Sequence, residues 1–428
     1  MIRIRYILFL IVVAVLTGCD GFGSGCEPDI RWGTLANPGF ESHRIKTTLF
    51  FSGQARDGSS PYSKSAQYAG DVPYDHGGTP PDLPVSYVEC DPVYNMQLYT
   101  AHPEDERHLN WSTDPANRTF AVNQMVQAGI NVVSMSSWGA STELCGGYWQ
   151  WWAPMQTSPQ SHDELFEAVG DSLLIMPFIE SHSNWHFRDE FPRTESGQVA
   201  PGAVLQIVDL IDRYLLNSEH PEWAQRWAQV YDREGVPRYA VVIIHATSKR
   251  LGADDHLRFA DGFDNLAEEV LLRTGRLVGF FIDALPPRAS EEFRPSPEQT
   301  GPQLYRTPAI LGIQCFIPEI RLGGADDDER IERKRDFSRG WAETGIPFIM
   351  DISPGYDAHI VFPSLPYYGF TYNWVNAMTQ MVEDFADGLV YNSWNGYTEG
   401  MVAVPTVEGG DFYYQWLRSF DLGIGPPY

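Results

Sequence analysis

The chain is poor in cysteine, in positive charge and in long apolar runs. Of its 428 residues five are cysteine, and none forms a Cys-x-x-Cys pair, which excludes the usual structural zinc spacing. A chain this long does not need disulfides to be stable. Lys and Arg number 30 against 56 Asp and Glu, a formal net charge of −26. Such a body repels phosphate backbones and anionic membrane surfaces, so no nucleic-acid partner is expected. No apolar run reaches the roughly 20 residues that span a bilayer. Also missing are a Gly-x-Ser-x-Gly elbow, a His-Glu-x-x-His zinc motif and a phosphate-cradling loop. No metal and no cofactor are expected. What is present is a globular balance, 43% hydrophobic and 20% charged, with 13 Trp and 21 Tyr. Those rings either line a groove, as flat platforms for sugars, or fill a core; composition leaves both open.

Arg3 and Arg5 precede the apolar run Tyr6 to Val15, and Leu16-Thr17-Gly18-Cys19 follows at once. Positive residues, a short apolar stretch and small residues in that order make a secretory signal. The Leu-Thr-Gly-Cys ending resembles the bacterial lipobox. That resemblance implies cleavage before Cys19, a lipid on Cys19, and a membrane-anchored lipoprotein of the cell envelope, in the periplasm or at the surface. Contact with the membrane would run through the lipid only. The other cysteines are Cys26, Cys90, Cys145 and Cys315. Four thiols in an exported chain allow two disulfides in three connectivities, and Cys315, inside an apolar run, is expected to stay a buried free thiol.

Beyond residue 46, short β-rich runs alternate with amphipathic ones. Strands are expected at Thr47–Ser52, Asn131–Met135, Leu173–Ile179, Tyr239–His245, Gly279–Asp283, Ala309–Phe316, Pro347–Ile352 and Gly388–Asn392. Most are continuously apolar, the mark of strands covered on both faces of a parallel sheet. Between them, Val122, Met125, Val126 and Gly129 recur with helical spacing, as do Val204, Ile207, Val208, Ile211 and Leu215. The charged stretch Asp326 to Thr344 offers Ile331, Phe337 and Trp341 as inward contacts. Gly129, Gly235 and Gly345 stand where helices should stop. Eight β-then-α units predict an α/β fold, a (β/α)8 TIM barrel. A doubly wound sheet is the alternative, but no Gly-rich dinucleotide loop follows the first strand. The expected organisation is a signal peptide at 1–18, a lipidated tether at 19–45 and a single barrel domain at 46–428. A long aromatic-rich loop, Gly53 to Trp111, would wall its pocket.

In such a barrel, chemistry sits where the strands end. Those positions hold Trp138; Glu180, His182 and His186; His245; Asp283; Glu319; Asp351; and Asn392, Trp394, Asn395, Tyr397 and Glu399. Recurring carboxylates among aromatic rings suit glycosidic-bond cleavage, in which one acid protonates the leaving oxygen and a second acts as base or nucleophile. Each such carboxylate taken singly could equally be a structural ion-pair partner.

The stretch Tyr391-Asn392-Ser393-Trp394-Asn395-Gly396-Tyr397-Thr398-Glu399-Gly400, with Val404-Pro405-Thr406 after it, resembles the last-strand motif of glycoside hydrolase families 71 and 99, the α-1,3-glucanases and endo-α-mannosidases. Asp114-Pro115, Gly129-Ile130-Asn131, Ser137-Trp138-Gly139 and Ile179-Glu180 fit the same group. The resemblance spans roughly residues 46 to 420. It implies a retaining attack on an α-linked polysaccharide or glycan, in which one carboxylate deprotonates the sugar 2-hydroxyl to give an anhydro-sugar and a second serves as general acid and then base. By position the second is Glu399. The first falls on Gly396, which has no side chain. Glu180, Asp351 and Asp283, in that order, are the candidates to replace it, with Trp138, His182, His186, His245, Asn392, Trp394, Asn395 and Tyr397 as substrate contacts. The alternative is a sugar-binding lipoprotein on a barrel that no longer cuts.

Overall fold

The computed structural model describes residues 31–52, 101–109, 111, 114–137, 159–180, 201–244, 256–284, 295–357, 368–369, 371–397 and 400–422. The strands are β1 (Lys46–Phe50), β2 (Val132–Ser137), β3 (Leu174–Glu180), β4 (Gln229–Tyr231), β5 (Pro237–Ile244), β6 (Val278–Ile282), β7 (Ile310–Gln314), β8 (Phe348–Ile352), β9 (Gly355–Tyr356), β10 (Tyr368–Gly369), β11 (Gly388–Tyr391), β12 (Asn395–Gly396) and β13 (Met401–Val402). Sheet order is β3-β2-β1-β11-β8-β7-β6-β5-β4, and β3 also pairs with β5, which closes a ring of eight parallel strands. All eight expected strands are present, each within a few residues of its expected ends. The fold is the (β/α)8 barrel.

Their continuous apolar composition follows from two-sided burial. Along each strand one residue joins the cluster inside the ring and the next joins the cluster under the helices. Val132 and Val133, Val242 and Val241, Phe281 and Phe280, and Val390 and Leu389 divide in this way. Burying each such side chain contributes about 1.5–3 kcal/mol.

The principal helices are α1 (Pro115–Gln127), α2 (Pro159–Val169), α3 (Pro201–Tyr214), α4 (Trp223–Arg226), α5 (His256–Thr274), α6 (Gly301–Leu304), α7 (Glu319–Leu322), α8 (Asp327–Ala342), α9 (Tyr372–Phe385) and α10 (Phe412–Ser419). α1 starts where Asp114 caps the Ala116 amide and Pro115 fills the first turn, a position that needs no N–H donor. α8 begins on an Asp326 cap with Asp327, Asp328 and Glu329 in its first turn and carries Arg339 in its last, in accord with the helix dipole.

Two features depart from the expected organisation. Gly235 does not end a helix. It sits at φ +75° in the turn of a hairpin between β4 and β5, where Asp232 accepts from the Glu234 and Val236 amides and from Arg238. Strand β4 is only three residues long, too short to leave a periodic trace in the sequence.

The packed body also begins before residue 46. Leu35 enters the interior cluster, Asn37 bonds the backbone of Trp227 and Gln229, and Gly33 donates to the Tyr231 carbonyl. Gly33 has φ +81°, and a Cβ there would meet Pro347 at 2.5 Å, so only glycine fits. Of the segment expected as tether, residues 31–45 thus cover the amino end of the barrel.

Candidate active site at the carboxyl end of the barrel

Four neighbouring strands, β6, β7, β8 and β11, bring polar groups to their carboxyl ends. Asp283 follows β6; its amide donates to the Ile243 carbonyl and its Oδ1 accepts from the Phe316 amide at 3.3 Å. Glu319 opens α7, just beyond β7. Asp351 lies within β8. Asn392 follows β11, its amide donating to the Ile352 carbonyl and its Nδ2 to the Cys315 carbonyl at 3.5 Å. All of these side chains are buried.

A residue passed over in the sequence completes the cluster. Lys334 of α8 is wholly buried; its ammonium donates to Asp351 Oδ1 and stands 2.6 Å from Glu319 Oε1. Burial, then the charge of Glu319, pushes the Asp351 carboxyl well above its usual range, with Lys334 opposing. Burial pulls the Lys334 ammonium the other way, but Asp351 and Glu319 outweigh it and its pKa is raised. The signal was present: Ile331, Lys334, Ser338 and Trp341 form the buried stripe of α8, spaced as one helix face, whereas Phe337, expected inward, is only partly buried. Cys315 is a buried free thiol, as expected, and burial raises its pKa.

The expected substrate contacts divide. Asn395 spends its amide on the residue just after β1, accepting from the Phe51 amide and donating to the Phe51 carbonyl, both at 2.9 Å. Trp394 and Tyr397 are buried in the main cluster. Trp394 meets Tyr414 and His108 edge-on, at 6.3 Å each. Glu180 is the last residue of β3. Trp138, His182, His186, His245 and Glu399 lie outside the described residues, as does Cys19. At Gly396 a Cβ would meet Ser393 Oγ at 2.6 Å and the Met401 carbonyl at 3.0 Å, so a larger residue fits only if that hairpin shifts. The opposite end of the barrel carries a cleft of about 590 Å³ lined by Arg233, Tyr305, Arg306 and Glu343 among others.

No family model and no curated protein matches the chain in sequence. Solved structures do match in shape. The GH99 endo-α-mannosidase from Bacteroides thetaiotaomicron superposes with a TM-score of 0.50 at 14% identity, covering 87% of this chain and 94% of that one. The same enzyme in complex with bis-tris-propane gives 0.50 at 14%, over 85% and 87%. A glycoside hydrolase-like protein gives 0.48 at 16%, over 75% and 89%. The chain shares the (β/α)8 barrel fold of that mannosidase. In this barrel, Asp283, Glu319 and Asp351 stand at the end at which barrel enzymes do their chemistry.

Proposed function

We propose that the protein is a glycoside hydrolase that cleaves an α-linked polysaccharide or glycan at the carboxyl end of its barrel, with Glu399 as the proton donor. One observation carries this reading: the Trp394–Gly400 motif, which resembles the mannosidase and glucanase families, follows the last strand of a barrel that aligns along nearly its whole length with an endo-α-mannosidase. Glu180 is the favoured second carboxylate. Asp351 is already engaged by Lys334, and Asp283 accepts from the Phe316 amide. Glu399→Gln should lower turnover by about 10²–10⁴-fold, the range for a lost general acid, in an assay of reducing-end release. Retention of full turnover would remove Glu399 from the role.

The tight surroundings of Gly396 favour a second reading, a sugar-binding protein that does not cut. In that case wild type and Glu399→Gln are retained equally on a glycan matrix and release no new ends. We also propose export with a lipid on Cys19. Labelling a bacterial expression host with a fatty-acid analogue should mark the wild-type chain and not Cys19→Ala; equal labelling of both would refute it.

A further inference from the structure

The ammonium of Lys334 stands against two acids, Glu319 on α7 and Asp351 on β8. Asp283 after β6 adds its charge near Asp351, the Cys315 thiol just past β7 feels Asp283, Asp351 and Lys334, and Asn392 after β11 is uncharged. One positive charge thus serves two buried carboxyl groups, each at most 2% exposed. Pairing is incomplete in detail as well. Asp351 Oδ2 and Glu319 Oε2 find no hydrogen-bond partner among the described residues. An ionised carboxylate buried without its full set of partners is costly, whereas a protonated carboxyl has no charge to desolvate. Among the described residues Lys334 is the cation paired with both Glu319 and Asp351, and a proton can supply the remaining counter-charge.

We propose that Lys334 is a positioning residue that clamps Glu319 and Asp351 into one unit holding a single extra proton, so that Asp351 stands at the carboxyl end of the barrel as a neutral acid while Glu319 balances the ammonium. The assignment of the proton to Asp351 agrees with its burial and with the repulsion it meets from Glu319 and Asp283. Within the glycosidase reading, on which this consequence rests, a neutral Asp351 cannot be the base, and that role passes to Glu180.

The test uses the full chain and needs no substrate, so it stands or falls separately from the glycosidase reading. At about pH 6 Asp351→Asn, whose amide copies a neutral carboxyl, should keep the wild-type denaturant midpoint, while Glu319→Gln and Lys334→Met lower it. Relative to Asp351→Asn, the wild type should lose stability as pH rises from about 4 to about 8, because its folded state keeps a proton that the unfolded chain releases. Infrared spectra of the aspartate-labelled wild type should show a protonated carboxyl at about pH 6 that Asp351→Asn removes. Equal destabilisation by Asp351→Asn and Glu319→Gln would overturn the proposal. Should Asp351→Asn fail to fold, the wild-type spectrum decides alone: absence of a protonated carboxyl band overturns it.

Discussion

Two lysines are buried at opposite ends of the barrel, and their pKa values move in opposite directions. Lys46, the first residue of β1, is 1% exposed and donates to the Phe420 carbonyl at 2.9 Å. Burial pushes its pKa down to about 8, with Asp421 only partly opposing. Lys334 is equally deep, yet its pKa is raised, because the acidic side chains of Asp351 and Glu319 stand against it. The partner, not the depth, decides the charge state. A carbonyl gives a dipole and leaves the ammonium marginal; a carboxylate gives a full charge and makes the ammonium part of the core.

The contrast predicts unequal mutants. Lys334→Met strands buried acids and should cost about 3–5 kcal/mol, the usual penalty for breaking a buried pair, read as a fall in denaturant midpoint at neutral pH. A cost below about 1 kcal/mol would mean that the acids neutralise one another without the lysine. His108 extends the comparison to a cationic group with no carboxylate bound to it. It packs against Phe120 and Trp394, and burial drives its pKa down to about 4, with Gln124 and Asp105 pulling upward and Arg107 down. Its folded pKa is depressed, so acidification from about 6.5 to about 4 protonates only the unfolded chain and stability falls by up to about 1.4 kcal/mol per pH unit. His108→Gln should remove that slope relative to wild type, measured as the difference between their unfolding curves.

Lys46 should act at the other end of the pH scale. Between about 8 and about 10.5 the unfolded chain holds a proton that the folded state has released, so this lysine makes stability rise with pH. Lys46→Met should flatten the curve there. At neutral pH the same substitution should change stability by only about 1 kcal/mol, a hydrogen bond lost against a charge no longer desolvated. If Lys46→Met proves as damaging as Lys334→Met, the comparison fails.

The barrel was legible because two-sided burial writes a continuous apolar run into each of its eight strands, and Asp114-Pro115 announces a helix start. The β4 hairpin was not, since its identity rests on pairing with β5 and on the chain around Leu35. The acids Asp283, Glu319 and Asp351 were legible as strand-end groups, but their state was not. That depends on Lys334, whose charge hid it among the solvent-facing residues of α8 although its spacing from Ile331 and Trp341 matched the buried face. Trp394 and Tyr397 show a different limit. Packing and sugar stacking call for the same rings, so only coordinates distinguish them, and here both rings are buried in the core.

The glycosidase account meets its most direct test in reducing-end release from a panel of α-mannans, α-glucans and host-type glycans, run with wild type and Glu399→Gln. The account predicts new reducing ends from at least one α-linked polymer with wild type and a loss of about 10²–10⁴-fold in the variant. Retention of both proteins on a polymer that neither one shortens would contradict it.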